Sequence, residues 1–318
     1  METASRFGAL RSRSGFTPLH LVGIGVAALV LLPIVYLVIR TFTADSSAAD
    51  LILRQRTAEI LLRSILLVGL VTAGSILIAV PMAWLTLRTN LPWRNLWTVG
   101  AVLPLVIPSF IGAFVAVIAL SPRGMLQDLL DLLFGIERIP NIFGLPGATL
   151  VLTLLTFPYV FIPVRASLRR MDPALEEMAR NLGHGSFATF RYVTFPLLRP
   201  AISAGAVLTA LYTLSDFGAV SLLRYETFTW AIFIQYDTAF DRSIAAALSL
   251  VLVAVALGIL AMDIASRGQG RYHRSTVGSV RPPRPVELGA WRWPALAFVS
   301  IVTALSLIAP LGIVSYWA

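Results

Sequence analysis

Few side chains in this sequence could do chemistry. Cysteine is absent, which excludes disulfides, thiolate catalysis and Cys-ligated metal and leaves the redox compartment open. Lysine is absent too, so all 25 basic residues are arginine. A standard phosphate-binding loop places a lysine on the β and γ phosphates; no Gly-x-x-x-x-Gly-Lys occurs, so the chain is not a P-loop ATPase of that kind. His20, His184 and His273 are scattered, and the 16 carboxylates lie mostly in loops, so no convincing set of hard oxygen ligands for a metal can be assembled. His184 reads as a loop residue after Gly183. Two places remain: a lone acid, Asp216, deep in an apolar run with Tyr212 and Ser215 beside it, and a patterned polar stretch from Arg169 to Pro200 that carries Glu176 and Glu177.

The elements that must position these residues follow from composition. With 57% hydrophobic and 13% charged residues and a mean hydropathy of +0.82, the chain is far more apolar than a soluble domain. Crossing roughly 30 Å of hydrocarbon takes about 20 helical residues. Apolar stretches of that order lie at 19–40, 64–86, 97–120, 146–168, 201–223, 243–263 and 293–317. Inside hydrocarbon every backbone amide needs an internal partner, and the unbroken apolar runs lack the alternation of barrel strands, so the spans are helices. The expected fold is all-α, a polytopic membrane bundle. The first span is followed by too many others, with no convincing cleavage box at Ser14-Gly15-Phe16, to be a cleaved leader.

The net charge of +9 invites a nucleic-acid reading, but the arginines alternate by side along the chain. Arg6, Arg11 and Arg13 precede span one; Arg88 and Arg94 separate two from three; Arg165, Arg169, Arg170, Arg180, Arg191 and Arg199 flank the four-to-five connection. Arg267, Arg271, Arg274, Arg281, Arg284 and Arg292 lie between six and seven. By the positive-inside rule these four segments are cytoplasmic, the amino terminus included, and the partner is a lipid bilayer rather than nucleic acid. The opposite segments, such as 224–242 with Glu226, Asp237 and Asp241, are neutral or acidic. On that outer side, Met125 to Phe134 reads as a short amphipathic helix at the interface.

Asp216 sits about 15 residues, roughly 22 Å, along span five. An intramembrane acid lines a cavity or finds a partner. Two readings stand side by side: a polar translocation path with Ser215 and Tyr212, or a structural acid near the outer rim bonded to backbone or to an arginine. Asp263 reads as an end-of-helix residue on the cytoplasmic side.

The cytoplasmic stretch 169–200 is patterned residue by residue. Asp172-Pro173 is a helix start, an N-cap acceptor followed by a residue with no amide to satisfy. Leu175, Met178, Ala179 and Leu182 recur at helical spacing, with Glu176, Glu177 and Arg180 available to the other side. Gly183 can take the left-handed conformation that ends a helix. A second short helix is expected from Ser186 toward Thr194, broken at Pro196. Such a pair either lies on the bilayer or docks on another protein.

The spacing goes further. Glu177-Met178-Ala179, three residues, Gly183, nine residues, then Val193, Phe195 and Pro196 resembles the EAA signature of ABC importer permeases. Met178, Val193 and Phe195 depart from its usual residues and stay apolar. The resemblance implies that the first helix is a coupling helix seated in a cleft of a separate ATPase subunit, which binds ATP and Mg; no cofactor is expected in this chain. Glu176 and Glu177 would supply charged contacts, Ala179 close approach, Gly183 the turn and Pro196 the end of the motif.

The whole chain resembles the iron(III) permease family, MetI-like, whose members commonly fuse two six-span modules. The supporting pieces are Phe157-Pro158-Tyr159-Val160-Phe161, Ser215-Asp216-Phe217-Gly218-Ala219 and Thr227-Phe228-Thr229-Trp230-Ala231-Ile232-Phe233. The resemblance implies a type I importer module over residues 17–266, preceded by a cytoplasmic tail at 1–16 and containing the coupling loop at 169–200. A Pro-rich cytoplasmic linker at 267–292 follows. The final span, 293–318, reads as the first helix of a second, truncated module, because Pro294 and Pro310 mirror Pro18 and Pro33. Expected partners are ABC ATPase subunits, a periplasmic substrate-binding protein and a second permease module or subunit, in a bacterial inner membrane. Iron(III) is the expected cargo, with thiamine, phosphonate, sulfate and polyamine as alternatives. A secondary transporter would show broken helices or coupling acids in several spans, and only Asp216 qualifies. An intramembrane protease would need Ser with His, or two Asp, within the membrane, and neither pair is present.

Overall fold

The computed structural model describes residues 18–42, 54–122, 124–135, 140–238, 243–266 and 285–317. The expected tail at 1–16 and most of the linker lie outside the described residues. The helices are α1 (Pro18–Phe42), α2 (Gln55–Arg88), α3 (Arg94–Gly100), α4 (Ser109–Leu120), α5 (Met125–Phe134), α6 (Leu145–Arg170) and α7 (Pro173–Asn181). They continue as α8 (Ser186–Thr189), α9 (Phe195–Ser215), α10 (Gly218–Leu222), α11 (Phe228–Thr238), α12 (Ser243–Ser266), α13 (Arg292–Thr303) and α14 (Ala309–Trp317). Seven helical stretches among the described residues are long and apolar enough to cross a membrane.

The centre of the bundle is the triple packing of α2, α6 and α9. Lipid tails are as apolar as leucine, so membrane helices associate through close packing, and small residues mark the contact lines. Gly205 shows the constraint most sharply: a Cβ there would lie 2.5 Å from Val160 Cα and 2.8 Å from the Tyr159 carbonyl. Four apolar clusters form among the described residues, two of them large. One gathers Met82, Phe157, Phe161, Leu168 and Leu198 toward the α7 end; the other gathers Leu67, Leu152, Ala219 and Leu223 toward the far end. By contrast α1 is exposed and apolar on nearly every side and packs mainly on α12.

Two expected spans are not continuous. Span three, read as 97–120, is α3, a 3-10 turn at Leu103–Val106 and α4. Pro104 and Pro108 each remove an amide, and Ile107 before Pro108 is extended (φ −83°, ψ 115°). Span five, read as 201–223, starts earlier and ends at Ser215, where Asp216 is extended (φ −68°, ψ 129°) and α10 begins anew. Non-helical backbone at such depth persists only where protein buries it or water lines it. Here the two breaks bury each other: a Cβ on Gly218 would meet Phe110 Cβ at 3.1 Å and Ser109 Oγ at 3.2 Å. The proline break expected at Pro196 does not occur. A π-helical turn at Phe190–Thr194 joins α8 to α9, and Pro196 falls in the first turn of α9, where a missing amide costs little.

Candidate functional site

The α7 region is built locally by its own sequence. Asp172 accepts a hydrogen bond from the Ala174 amide at 3.0 Å, with Pro173 in the first turn, as the spacing predicts. At the other end Gly183 is left-handed (φ +88°), the Gly183 amide donates to Arg180 O at 3.0 Å and the His184 amide to Ala179 O at 3.1 Å. That reciprocal pair is a Schellman cap, which satisfies carbonyls the helix cannot.

The sides of α7 divide differently from the sequence expectation. Ala179 is buried and Glu176 turns inward with it, three residues apart on one face. Leu175, Met178 and Leu182 face outward, Met178 at 61% and Leu182 at 78% exposure, and Glu177 is exposed beside them. Phe187 and Tyr192 extend the outward apolar surface. Pro196 lies beyond it, at the head of α9.

Glu176 enters a buried polar cluster that sequence reasoning missed. Thr194 Oγ1 donates to Glu176 Oε1 at 3.0 Å, and Arg88 Nη2 lies 3.8 Å from the same oxygen. Arg88 Nη2 also donates to the Leu168 carbonyl at 3.1 Å. The segment after residue 285 joins the cluster: Val286 N donates to Arg88 O at 2.8 Å, Asn90 N to Val286 O at 3.2 Å, and Leu288 N to Asn90 Oδ1 at 3.1 Å. In the sequence Arg88 is one arginine among several in the connections between spans, and nothing in its spacing sets it apart.

The second candidate region lies where the two breaks meet. Asp216 is buried, and its Oδ1 accepts from the Ala219 amide at 2.9 Å, capping the turn into α10. Its backbone carbonyl accepts from Thr229 Oγ1 at 2.8 Å. Ser109 lies beside both the Asp216 carboxylate and the Tyr212 phenol, and Tyr212 packs on Tyr159 with ring centroids 5.5 Å apart. Ser215 stands apart: its hydroxyl donates back to Tyr212 O at 2.9 Å, and it lines a largely apolar cavity of about 590 Å³ with Arg40, Phe217, Thr229 and Phe233. Ser203 donates to the carboxylate of Asp263, joining α9 to α12; Asp263 is therefore a buried inter-helix partner near the end of its helix. Among the described residues no group of three or more His, Asp or Glu is placed to hold a metal ion.

Residues 75–271 match the family described as binding-protein-dependent transport system inner membrane component. The chain is 34% identical over 289 residues to an Fe(3+)-transport system permease protein of Haemophilus influenzae, covering 90% of this chain and 53% of that protein, so it spans about half the relative's length. It is 31% identical over 205 residues to a molybdenum transport system permease protein of Escherichia coli, covering 61% of this chain and 88% of the relative. In fold it is similar to a chain of a bacterial alginate ABC transporter crystallised with an alginate-bound periplasmic protein, with a TM-score of 0.64 at 18% identity over 79% of this chain and 93% of that one. A multi-span helical bundle with a capped helix pair at one end thus has its place: the chain belongs to the family of binding-protein-dependent transport system inner membrane components, the membrane permease subunits of ABC importers.

Proposed function

We propose that this chain forms the translocation path of an importer for iron(III), fed by a periplasmic binding protein and driven by an ATPase subunit that seats on α7. The observation that carries the reading is the outward face of α7: Leu175, Met178 and Leu182 are exposed at an end of the bundle where three spans converge, with Glu177 beside them. Lipid does not need that face, because α7 lies outside the spans. The iron(III) assignment rests on the 34% identical relative; molybdate, sulfate, thiamine, phosphonate and polyamine remain the competing cargoes. A single six-span module lines only one side of a pore, so a second module or subunit completes it, and the last span belongs to that second half in this reading. The cytoplasmic side is the α7 side, with the amino terminus on it.

In reconstituted complexes, Glu177→Arg and Gly183→Asp are expected to leave insertion intact and to separate ATP hydrolysis from uptake. Deletion of Asp172 to Thr194 is expected to remove ATPase co-purification. A Glu177→Arg/Gly183→Asp double variant that assembles and transports at the wild-type rate overturns the coupling role. Uptake of radiolabelled iron(III), in competition with molybdate, thiamine and phosphonate, decides the cargo.

A further inference from the structure

Arg88 closes α2 with its side chain only 2% exposed. Its Nη2 donates to the Leu168 carbonyl in the last turn of α6, which also accepts the Met171 amide at 3.4 Å. Its Nε and Nη1 are buried and have no hydrogen-bond partner among the described residues. A guanidinium carries five donors in a planar fork, and a buried one with two nitrogens unmatched is short of acceptors. Among the described residues the carboxylate paired with it is Glu176, whose Oε1 lies 3.8 Å from Nη2. A charge-assisted hydrogen bond needs about 2.7–2.9 Å, so an approach of about 1 Å would turn this loose pair into a bonded one. Arg180, the other charge that acts on Arg88, is cationic and cannot take that place.

The approach has a ready axis. Glu176 rides on α7, and its other partner, Thr194, lies in the π-helical turn at the head of α9. Such turns inside helices frequently mark functional sites. Arg88 itself is held from behind by the Val286 bridge to its carbonyl. A rigid shift of α7 therefore changes the Arg88–Glu176 distance while α2 and α6 keep theirs. We propose that Arg88 and Glu176 form a two-position latch, and that Arg88 is the positioning residue through which movement of α7 is delivered to α2. The proposal rests on the reading of α7 as the coupling helix.

The chain has no cysteine, so spin labels can be placed without background. In the complex with its ATPase subunit, Ala174→Cys on α7 and Asn95→Cys on α3, both exposed, report the distance between the coupling helix and the α2 end. The expected result is a small distance shift between the nucleotide-free and the ATP-vanadate states that grows in Arg88→Gln and in Glu176→Gln, where α7 moves without carrying the α2 end with it. Arg88→Gln is also expected to lower iron(III) transported per ATP hydrolysed about tenfold with ATPase co-purification retained. An unchanged shift and ratio in Arg88→Gln overturns the latch. Should a buried-charge variant fail to assemble, Thr194→Val frees Glu176 while keeping both charges, and a wild-type shift in that variant also overturns it. Glu177→Arg serves as the separate control: if it disturbs neither assembly nor coupling, the reading of α7 falls, whereas a disturbed Glu177→Arg beside a normal Arg88→Gln removes the latch alone.

Discussion

Adjacent residues on a helix point about 100° apart, and Glu176 and Glu177 use that separation to serve two different surfaces. Glu176 faces Arg88 and Thr194, while Glu177 is exposed beside Met178. The motif spacing located both carboxylates but treated them as one kind of contact, because i and i+1 positions do not reveal which neighbour waits on each side. Asp216 shows the same limit. Its burial was readable from the apolar run around it, but its cap on the Ala219 amide depended on a chain break that the run of apolar residues concealed. That geometry yields a discriminating prediction. Asp216→Asn keeps an acceptor for the Ala219 amide and is expected to unfold near the wild-type temperature, whereas Asp216→Ala leaves a buried amide unpaired at a cost of about 1–3 kcal/mol. Thermal unfolding in detergent reads the difference. If Asp216→Asn is as stable as the parent yet abolishes uptake, the carboxylate's charge belongs to the translocation path and not only to the turn.

Elements form where local preference and packing agree, and the departures from the sequence reading fall where proline or a close contact decides. The number of spans was legible from the apolar runs, although the third lies at 109–132 rather than 97–120 and the fifth at 187–215 rather than 201–223, and the Asp172-Pro173 start and Gly183 stop of α7 were legible to the residue. Span three was expected to be whole because Pro104 and Pro108 are apolar and leave hydropathy unchanged while removing two amides. Pro196 misled in the opposite direction. The π-helical turn before it redistributes the hydrogen bonds, so a residue that usually interrupts a helix opens α9 instead. Close helix contact was invisible for a different reason: a glycine in an apolar run looks the same whether it faces lipid or another backbone. The structure separates the cases. Gly205→Val forces α9 away from the Val160 and Tyr159 backbone and is expected to cost at least about 1–3 kcal/mol, seen as a lowered folded fraction on size-exclusion chromatography. Gly69→Val on α2, where nothing lies within 4 Å of an added Cβ, is expected to behave as the parent. Equal behaviour of the two variants would contradict the packing of α6 on α9.

The ends of the whole molecule differ in charge and in construction, and that asymmetry bears on its orientation. The end that carries α7 gathers Arg94, Arg165, Arg169, Arg170, Arg180, Arg191, Arg199 and Arg292 around the Arg88 cluster. At the other end arginines meet acids: Glu226 lies 3.7 Å from Arg56 and 3.5 Å from Arg63, and Asp128, Asp131 and Asp237 are exposed. Cytoplasmic connections carry the excess of basic residues, so the α7 end is predicted to face the cytoplasm. The prediction is tested by single cysteines in the cysteine-free chain. Asn95→Cys, exposed between spans two and three, is expected to resist a membrane-impermeant maleimide in intact spheroplasts and to react in inside-out vesicles. Asp237→Cys, exposed at the end of α11, is expected to show the reverse. Labelling of Asn95→Cys from outside would place α7 away from any cytoplasmic ATPase, and neither the coupling surface nor the Arg88 latch could then act as argued.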